Sequence, residues 1–230
     1  MLETLMTVKN LNIAYDGKNI LENINFSVED GDFLVIFGEN GSGKSSLMKT
    51  ILGLHAQSGG EISFGGGMKR HDIGYLPQAS PVQRDFPASV GEVVLSGCLN
   101  KLGWRPFYGK KEKQLAKNNM KLLGIYEKRG ECFRNLSGGQ RQRALLARAL
   151  CAARKMILLD EPIAGLDPSA AADFYETICR INKSGITVIM VSHDVHTSLS
   201  VAKHVLKIGK REAAFFGTPQ EYELSGEETI

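Results

Sequence analysis

FLVIFGENGSGKS, residues 33–45, decides the fold. Phe33-Leu34-Val35-Ile36-Phe37 is a continuous apolar run, as a strand buried on both faces requires. Gly38-Glu39-Asn40-Gly41-Ser42-Gly43-Lys44-Ser45 then fits G-x-x-x-x-G-K-[ST], and a helix is expected from there to about Leu54. A glycine loop between a buried strand and a helix is the setting that this pattern demands. The glycines let backbone N–H groups turn inward around phosphate oxygens. Lys44 adds a mobile positive charge toward the β and γ groups, and the Ser45 hydroxyl suits Mg²⁺. The stretch from Gly38 to Ser46 is therefore expected to bind a nucleoside triphosphate.

Outward from that loop, the preceding residues alternate. Leu11, Ile13 and Tyr15 share one face, Asp16-Gly17-Lys18-Asn19 turns the chain, and Ile24, Phe26 and Val28 share another, which reads as an antiparallel hairpin. Glu61–Phe64 and Ile73–Leu76 read as two further strands around Gly65-Gly66-Gly67. From about Ala79 to Leu150 the texture changes: prolines at 77, 81, 87 and 106 punctuate it, and 89–98, 111–124 and 138–152 read as helices. Strand-like runs then alternate with helices: Met156–Leu159, 169–182, Ile186–Val191, 195–202 and Val205–Ile208. Such alternation implies a parallel sheet covered on both faces. The expected fold is α/β: a parallel-sheet core, an N-terminal antiparallel β subdomain, and a helical insertion at about 80–150.

Composition narrows the class. The chain has 230 residues, enough for one domain with a subdomain, and Lys plus Arg at 28 against Asp plus Glu at 25 leaves a net charge of +3. That excess is too small to point to nucleic acid as the principal partner. Cys98, Cys132, Cys151 and Cys179 lie far apart with no C-x-x-C pair, so reduced thiols are expected rather than a zinc or redox motif. Met1-Leu2-Glu3-Thr4 lacks the basic start of a signal peptide, and the longest apolar runs, near 156–159 and 186–191, fall far short of the ~18–20 residues of a membrane span. A cytosolic chain that does not itself cross a membrane is expected.

Three more sites bear chemistry. Met156-Ile157-Leu158-Leu159-Asp160-Glu161 is a buried strand that carries two carboxylates to the sheet edge. Asp160 is placed to hold Mg²⁺ through its water shell, and Glu161, pointing to the opposite side of the strand, to orient or deprotonate an attacking water. Val191-Ser192-His193-Asp194 ends another apolar run, and His193 is placed to reach the γ-phosphate; His196 reads as a helix-surface residue. Leu136-Ser137-Gly138-Gly139-Gln140 is a glycine-softened turn into a helix that Ser137 can cap, a second grip for an anion.

Together, Gly38–Ser45, Gln78, Leu136–Gln140, Met156–Glu161, Gly165-Leu166-Asp167 and His193 resemble the ATP-binding cassette (ABC) ATPases, in that family's order and over essentially the whole chain. The resemblance implies a P-loop NTPase (RecA-like) core and a single nucleotide-binding domain over 1–230, its signature on the helical subdomain. It implies further that Tyr15 stacks on adenine, that Gln78 completes the Mg²⁺ and water shell with Ser45 and Asp160, and that Asp167 couples two active sites. Ser137, Gly138, Gly139 and Gln140 would grip the γ-phosphate of an ATP held by another copy of the chain. With one glycine loop per chain, a homodimer with ATP at its interface follows, opened when the γ-phosphate leaves.

Two uses of such a motor compete: transport through a separate membrane permease, or a soluble clamp on DNA or ribosomes. Too few residues separate Lys44 from Ser137 for a clamp's long coiled coil, and translation-factor relatives usually carry two cassettes where this chain has one. Transport is expected, with no nucleic acid as partner. The run from Gln78 to Val94, with Leu102-Gly103-Trp104-Arg105, the basic Lys110-Lys111-Glu112-Lys113 and Ser192-His193-Asp194-Val195-His196, is similar to importers of zinc, manganese and iron; siderophore importers are the alternative. The resemblance implies a peripheral protein on the cytoplasmic side of the membrane, bound to an integral permease, with an extracytoplasmic substrate-binding protein in the same system. Gly165 stands where Ala is commoner, and Cys98 where a polar or basic residue is common. With only a short stretch after Ile208, the regulatory domain that some importers append is not expected.

Overall fold

The computed structural model describes residues 3–78, 87–210 and 213–225. In chain order it has β1 (Thr4–Tyr15), β2 (Lys18–Glu29), β3 (Phe33–Gly38), α1 (Lys44–Ile51), β4 (Gly59–Phe64) and β5 (Ile73–Leu76). The helices α2 (Val90–Ser96), α3 (Lys110–Leu122) and α4 (Gly138–Ala152) come next, then β6 (Met156–Asp160), α5 (Pro168–Lys183), β7 (Thr187–Val191), α6 (Val195–Val201), β8 (His204–Ile208), β9 (Ala213–Gly217) and α7 (Pro219–Leu224). Two compact units divide them: Met1–Arg70 with Asn182–Ile230, and His71–Ile181.

In the first unit, β1 and β2 form the expected hairpin, antiparallel from Thr4↔Glu29 to Tyr15↔Lys18. Its turn is only Asp16-Gly17, both left-handed at φ 47° and 76°, a turn whose twist matches that of the strands it joins. β4 pairs antiparallel with the other edge of β1, giving the order β2-β1-β4. β3 lies between β7 and β8, parallel to both, and is apolar on both faces as a central strand must be. The buried Asp32 opens β3: its carboxylate meets His204 Nδ1 at 3.0 Å from both oxygens and accepts from the Phe33 N–H at 2.7 Å.

Two elements follow Ile208 that the sequence reading does not contain. β9 pairs antiparallel with β8, adding an antiparallel edge to the parallel strands. α7 is started by Thr218, whose hydroxyl accepts from Glu221 N, with Pro219 in the first turn, and it buries Tyr222 edge-on against Phe37 at 5.1 Å and Phe215 at 5.3 Å. The expected strands at 61–64 and 73–76 both exist, but they are not a pair: β4 joins β1, and β5 joins β6 in parallel.

In the second unit, α4 packs against α2, α3 and β5. Ser89 and Glu92 cap α2 reciprocally, and Val90, Val93 and Val94 are buried. Cys98 is buried beyond the end of α2, with its Sγ 3.8 Å from the Glu112 carbonyl. Residues 79–86 of the segment similar to metal importers, Phe86 among them, lie outside the described residues.

Glu112 organises the start of α3. Its carboxylate accepts from Arg105 Nη2 at 2.8 Å and from the Gly109 N–H at 2.7 Å. The Arg105 hydrogen bond, first among the causes, holds the carboxyl down at about 2 from an ordinary 4.5. A depressed acid stabilises the fold above its unfolded value and loses that contribution as pH falls toward the folded value. The gap in unfolding temperature between the chain and its Glu112→Gln variant should therefore shrink as pH is lowered from 4.5 toward 2. A gap constant over that window would show that the charge contributes nothing.

Candidate nucleotide site

The glycine loop joins β3 to α1 within the first unit. Gly38 sits at φ 151° with its Cα against the Ile208 carbonyl, where any Cβ would collide. Gly43 caps α1 at φ 102°, and a Cβ there would come within 2.9 Å of Leu21. Both positions thus exclude a side chain, for backbone conformation and for space. Gly43, at the N-cap, has no side chain to cap α1, and the first turn of the helix suits an anionic ligand. The buried Ser42 hydroxyl finds no hydrogen-bond partner among the described residues, and a phosphate oxygen would supply one. Lys44 is 6% exposed and its ammonium donates to the Gly38 and Glu39 carbonyls at 2.7 and 2.8 Å, a charge drawn over the mouth of the loop. Glu39 and Asn40 are exposed, and Ser45 and Ser46 half-buried in the first turn of α1.

Tyr15, the last residue of β1, is 42% exposed, and one face of its ring stacks on His55, with centroids 4.0 Å apart and planes 8° apart. His193 follows β7 and the buried Ser192, whose N–H donates to the Ile36 carbonyl; the imidazole is exposed. Asp194 caps α6 through the Thr197 N–H, and His196 is exposed on that helix, as expected.

The second unit holds the carboxylates. Asp160 ends β6, 4% exposed, with the Tyr75 hydroxyl 3.5 Å from its Oδ2. Burial first, and the Asp160 charge second, push the Tyr75 phenol up to about 12, so it remains a donor at neutral pH. The strand ends at Asp160, so Glu161 stands just beyond it; its backbone is left-handed at φ 47°, and its carboxylate accepts from Gln78 Nε2 at 2.7 Å. Left-handed backbone at a residue with a side chain costs on the order of 1–3 kcal/mol and concentrates at working sites.

The signature turn lies in the same unit. Ser137 Oγ accepts from the Gln140 N–H at 3.3 Å, and Gln140 Oε1 accepts from the Ser137 N–H at 3.1 Å, a reciprocal cap that leaves the Ser137 O–H to donate. A Cβ on Gly138 or Gly139 would touch Leu166 at 3.8 Å or Ala170 at 3.7 Å, so the turn lies against the segment that carries Asp167. Asp167 caps α5 through the Ala170 N–H at 3.0 Å. Gln142, absent from the sequence reading, donates from a buried position to the Pro162 carbonyl at 2.6 Å and ties α4 to the residue after Glu161.

The Ser45 hydroxyl, the Gln78 amide and the Asp160 carboxylate are each a hard oxygen donor of the type that Mg²⁺ takes. Among the described residues no group of three or more His, Cys, Asp or Glu side chains is gathered to hold a metal ion, and no helix is long and apolar enough to cross a membrane.

Residues 21–164, more than half of the chain, match the family described as ABC transporter. The chain is 36% identical over 218 residues to the manganese transport system ATP-binding protein MntB of Bacillus subtilis, covering 94% of this chain and 87% of that protein. It is 35% identical to the zinc uptake system ATP-binding protein ZurA of Listeria innocua, over 96% of this chain and 89% of that one. An inward-facing structure of a metal-chelate type ABC transporter superposes with a TM-score of 0.84 at 29% identity, over 95% of this chain and 84% of that one.

Proposed function

The chain belongs to the ABC transporter family as an ATP-binding, ATP-hydrolysing subunit with the α/β fold of P-loop NTPases, and on that premise we propose that it drives uptake of zinc, manganese or iron through a separate membrane permease. The observation that carries the cargo is the likeness to MntB and ZurA, which runs over nearly the whole chain rather than the catalytic motifs alone. The metal-chelate type transporter favours one second reading, in which the ion travels inside a chelate such as a siderophore.

The residue roles in this reading rest on the family resemblance, supported by the local chemistry. The loop from Gly38 to Ser46 holds the triphosphate, with Lys44 turning from its carbonyls to the β and γ oxygens. Tyr15 stacks on adenine. Ser45, Gln78 and Asp160 would hold Mg²⁺, which when bound neutralises charge on the phosphate oxygens. Glu161 accepts the proton of the attacking water, with Gln78 fixing its carboxylate by the 2.7 Å hydrogen bond. His193 reads the γ-phosphate. Ser137, Gly138, Gly139 and Gln140 offer N–H groups and the start of α4 to an ATP held by a second copy, and Asp167 links the two sites. The reading takes 1–230 as one nucleotide-binding domain with a helical subdomain at about 80–150. It works as a homodimer on the cytoplasmic face of the membrane, beside a permease and an extracytoplasmic substrate-binding protein.

Affinity purification of the chain from detergent-solubilised membranes tests this. A polytopic membrane protein should come with it in stoichiometric amount. Ribosomal or DNA-bound proteins in its place would exclude the transport reading.

A further inference from the structure

We infer that His55 is a positioning residue for the nucleobase, bracing Tyr15 from the side of the sheet away from the glycine loop; this rests on the reading of Tyr15 as the surface on which adenine stacks. Tyr15 stands at the very end of β1, beside the Asp16-Gly17 turn, with its ring half-exposed and stacked on His55. A ring that must be ordered by its ligand charges that ordering against affinity. His55 removes much of that cost beforehand. It lies parallel to the ring at 4.0 Å, and its Nε2 is 3.2 Å from the carbonyl of Ala14, the residue before Tyr15. One imidazole thus contacts both the ring and the backbone that carries it.

The two faces of Tyr15 are not equivalent. In the order β2-β1-β4, the glycine loop touches the β2 side, since Gly43 lies against Ile20 and Leu21. His55 arrives from the β4 side: the Ser58 N–H donates to the Asn12 carbonyl at 2.8 Å, and Gly59 pairs with Asn12. The stack covers one face of the ring, and the other is left to a base. His55 is also a continuation of α1. The helix begins at Lys44, in the phosphate grip, and its end is closed by Gly53 and Leu54 N–H groups on the Thr50 and Lys49 carbonyls, just before His55. The helix that receives the phosphates thus carries the brace for the base at its other end.

The test uses the full chain, with ATP affinity measured by equilibrium dialysis and inorganic tripolyphosphate as a ligand that has no base. His55→Ala should weaken ATP about three- to tenfold and raise KM rather than lower kcat, with tripolyphosphate unaffected. His55→Phe, which keeps an aromatic ring in the stack, should return to within about twofold of the parent chain. Tyr15→Ala is the control for the underlying reading. If Tyr15→Ala weakens ATP while His55→Ala leaves it unchanged or tightens it, the brace is wrong and the adenine platform stands. If Tyr15→Ala also leaves ATP unchanged, the platform itself is wrong and the brace falls with it. Equal loss of ATP and tripolyphosphate in His55→Ala would mean general damage to the unit and would overturn the inference.

Discussion

Glu161→Gln should lower ATP turnover about 10²–10⁴-fold while the chain still binds ATP. The substitution keeps length and shape, and a glutamine oxygen can still accept from Gln78 Nε2, so the 2.7 Å contact that orients the side chain survives. What disappears is the carboxylate proposed to take a proton from water. The left-handed backbone at Glu161 sharpens the expectation, because asparagine-like and glycine-like tolerance of that conformation does not extend to glutamine any better than to glutamate. The strain is unchanged, and the loss falls on the chemical step alone. Because the γ-phosphate then persists, this variant with Mg-ATP should elute as a dimer and return to monomer when ATP is removed. Turnover at the parent rate would remove Glu161 from its role.

Lys44→Ala should weaken ATP binding by about 10²-fold or more, from the loss of charge-assisted hydrogen bonds worth roughly 1.5–3 kcal/mol each. The nearly buried ammonium already donates to the Gly38 and Glu39 carbonyls, so the substitution also deprives two loop acceptors of a donor. The two effects separate by measurement. Unfolding temperature without nucleotide reports the loop's own loss, and the shift on adding ATP reports the loss of binding. Lys44→Ala should nearly abolish the ATP-induced shift; a shift equal to that of the parent chain would mean that Lys44 serves the loop and not the phosphates.

The features legible in the sequence are those set by local pattern. A five-residue apolar run, a glycine loop and a helix are contiguous, and they reappear as β3, the loop and α1. The strand ends at Asp160 and His193 and the cap at Ser137 are local too. What escaped depends on non-local partners or on a single backbone angle. β9 is short, and its place is set by pairing with β8 rather than by any strong alternation of its own. The parting of β4 from β5 is decided by which neighbours each finds, since two strands around three glycines look like a hairpin from sequence alone. The left-handed backbone at Glu161, where the strand stops, has no signature in the sequence. His55 and Gln142 belong to no motif; only the folded chain sets the one on Tyr15 and the other on Pro162.

The most direct measurement of the central claim is ATP-dependent uptake of radioactive manganese or zinc into cells that carry this chain with the membrane protein it purifies with. Uptake should follow ATP hydrolysis and should vanish in cells that carry Glu161→Gln in place of the parent chain. Uptake that continues at the parent rate in those cells, or ATP hydrolysis by the complex with no metal moved, would contradict it.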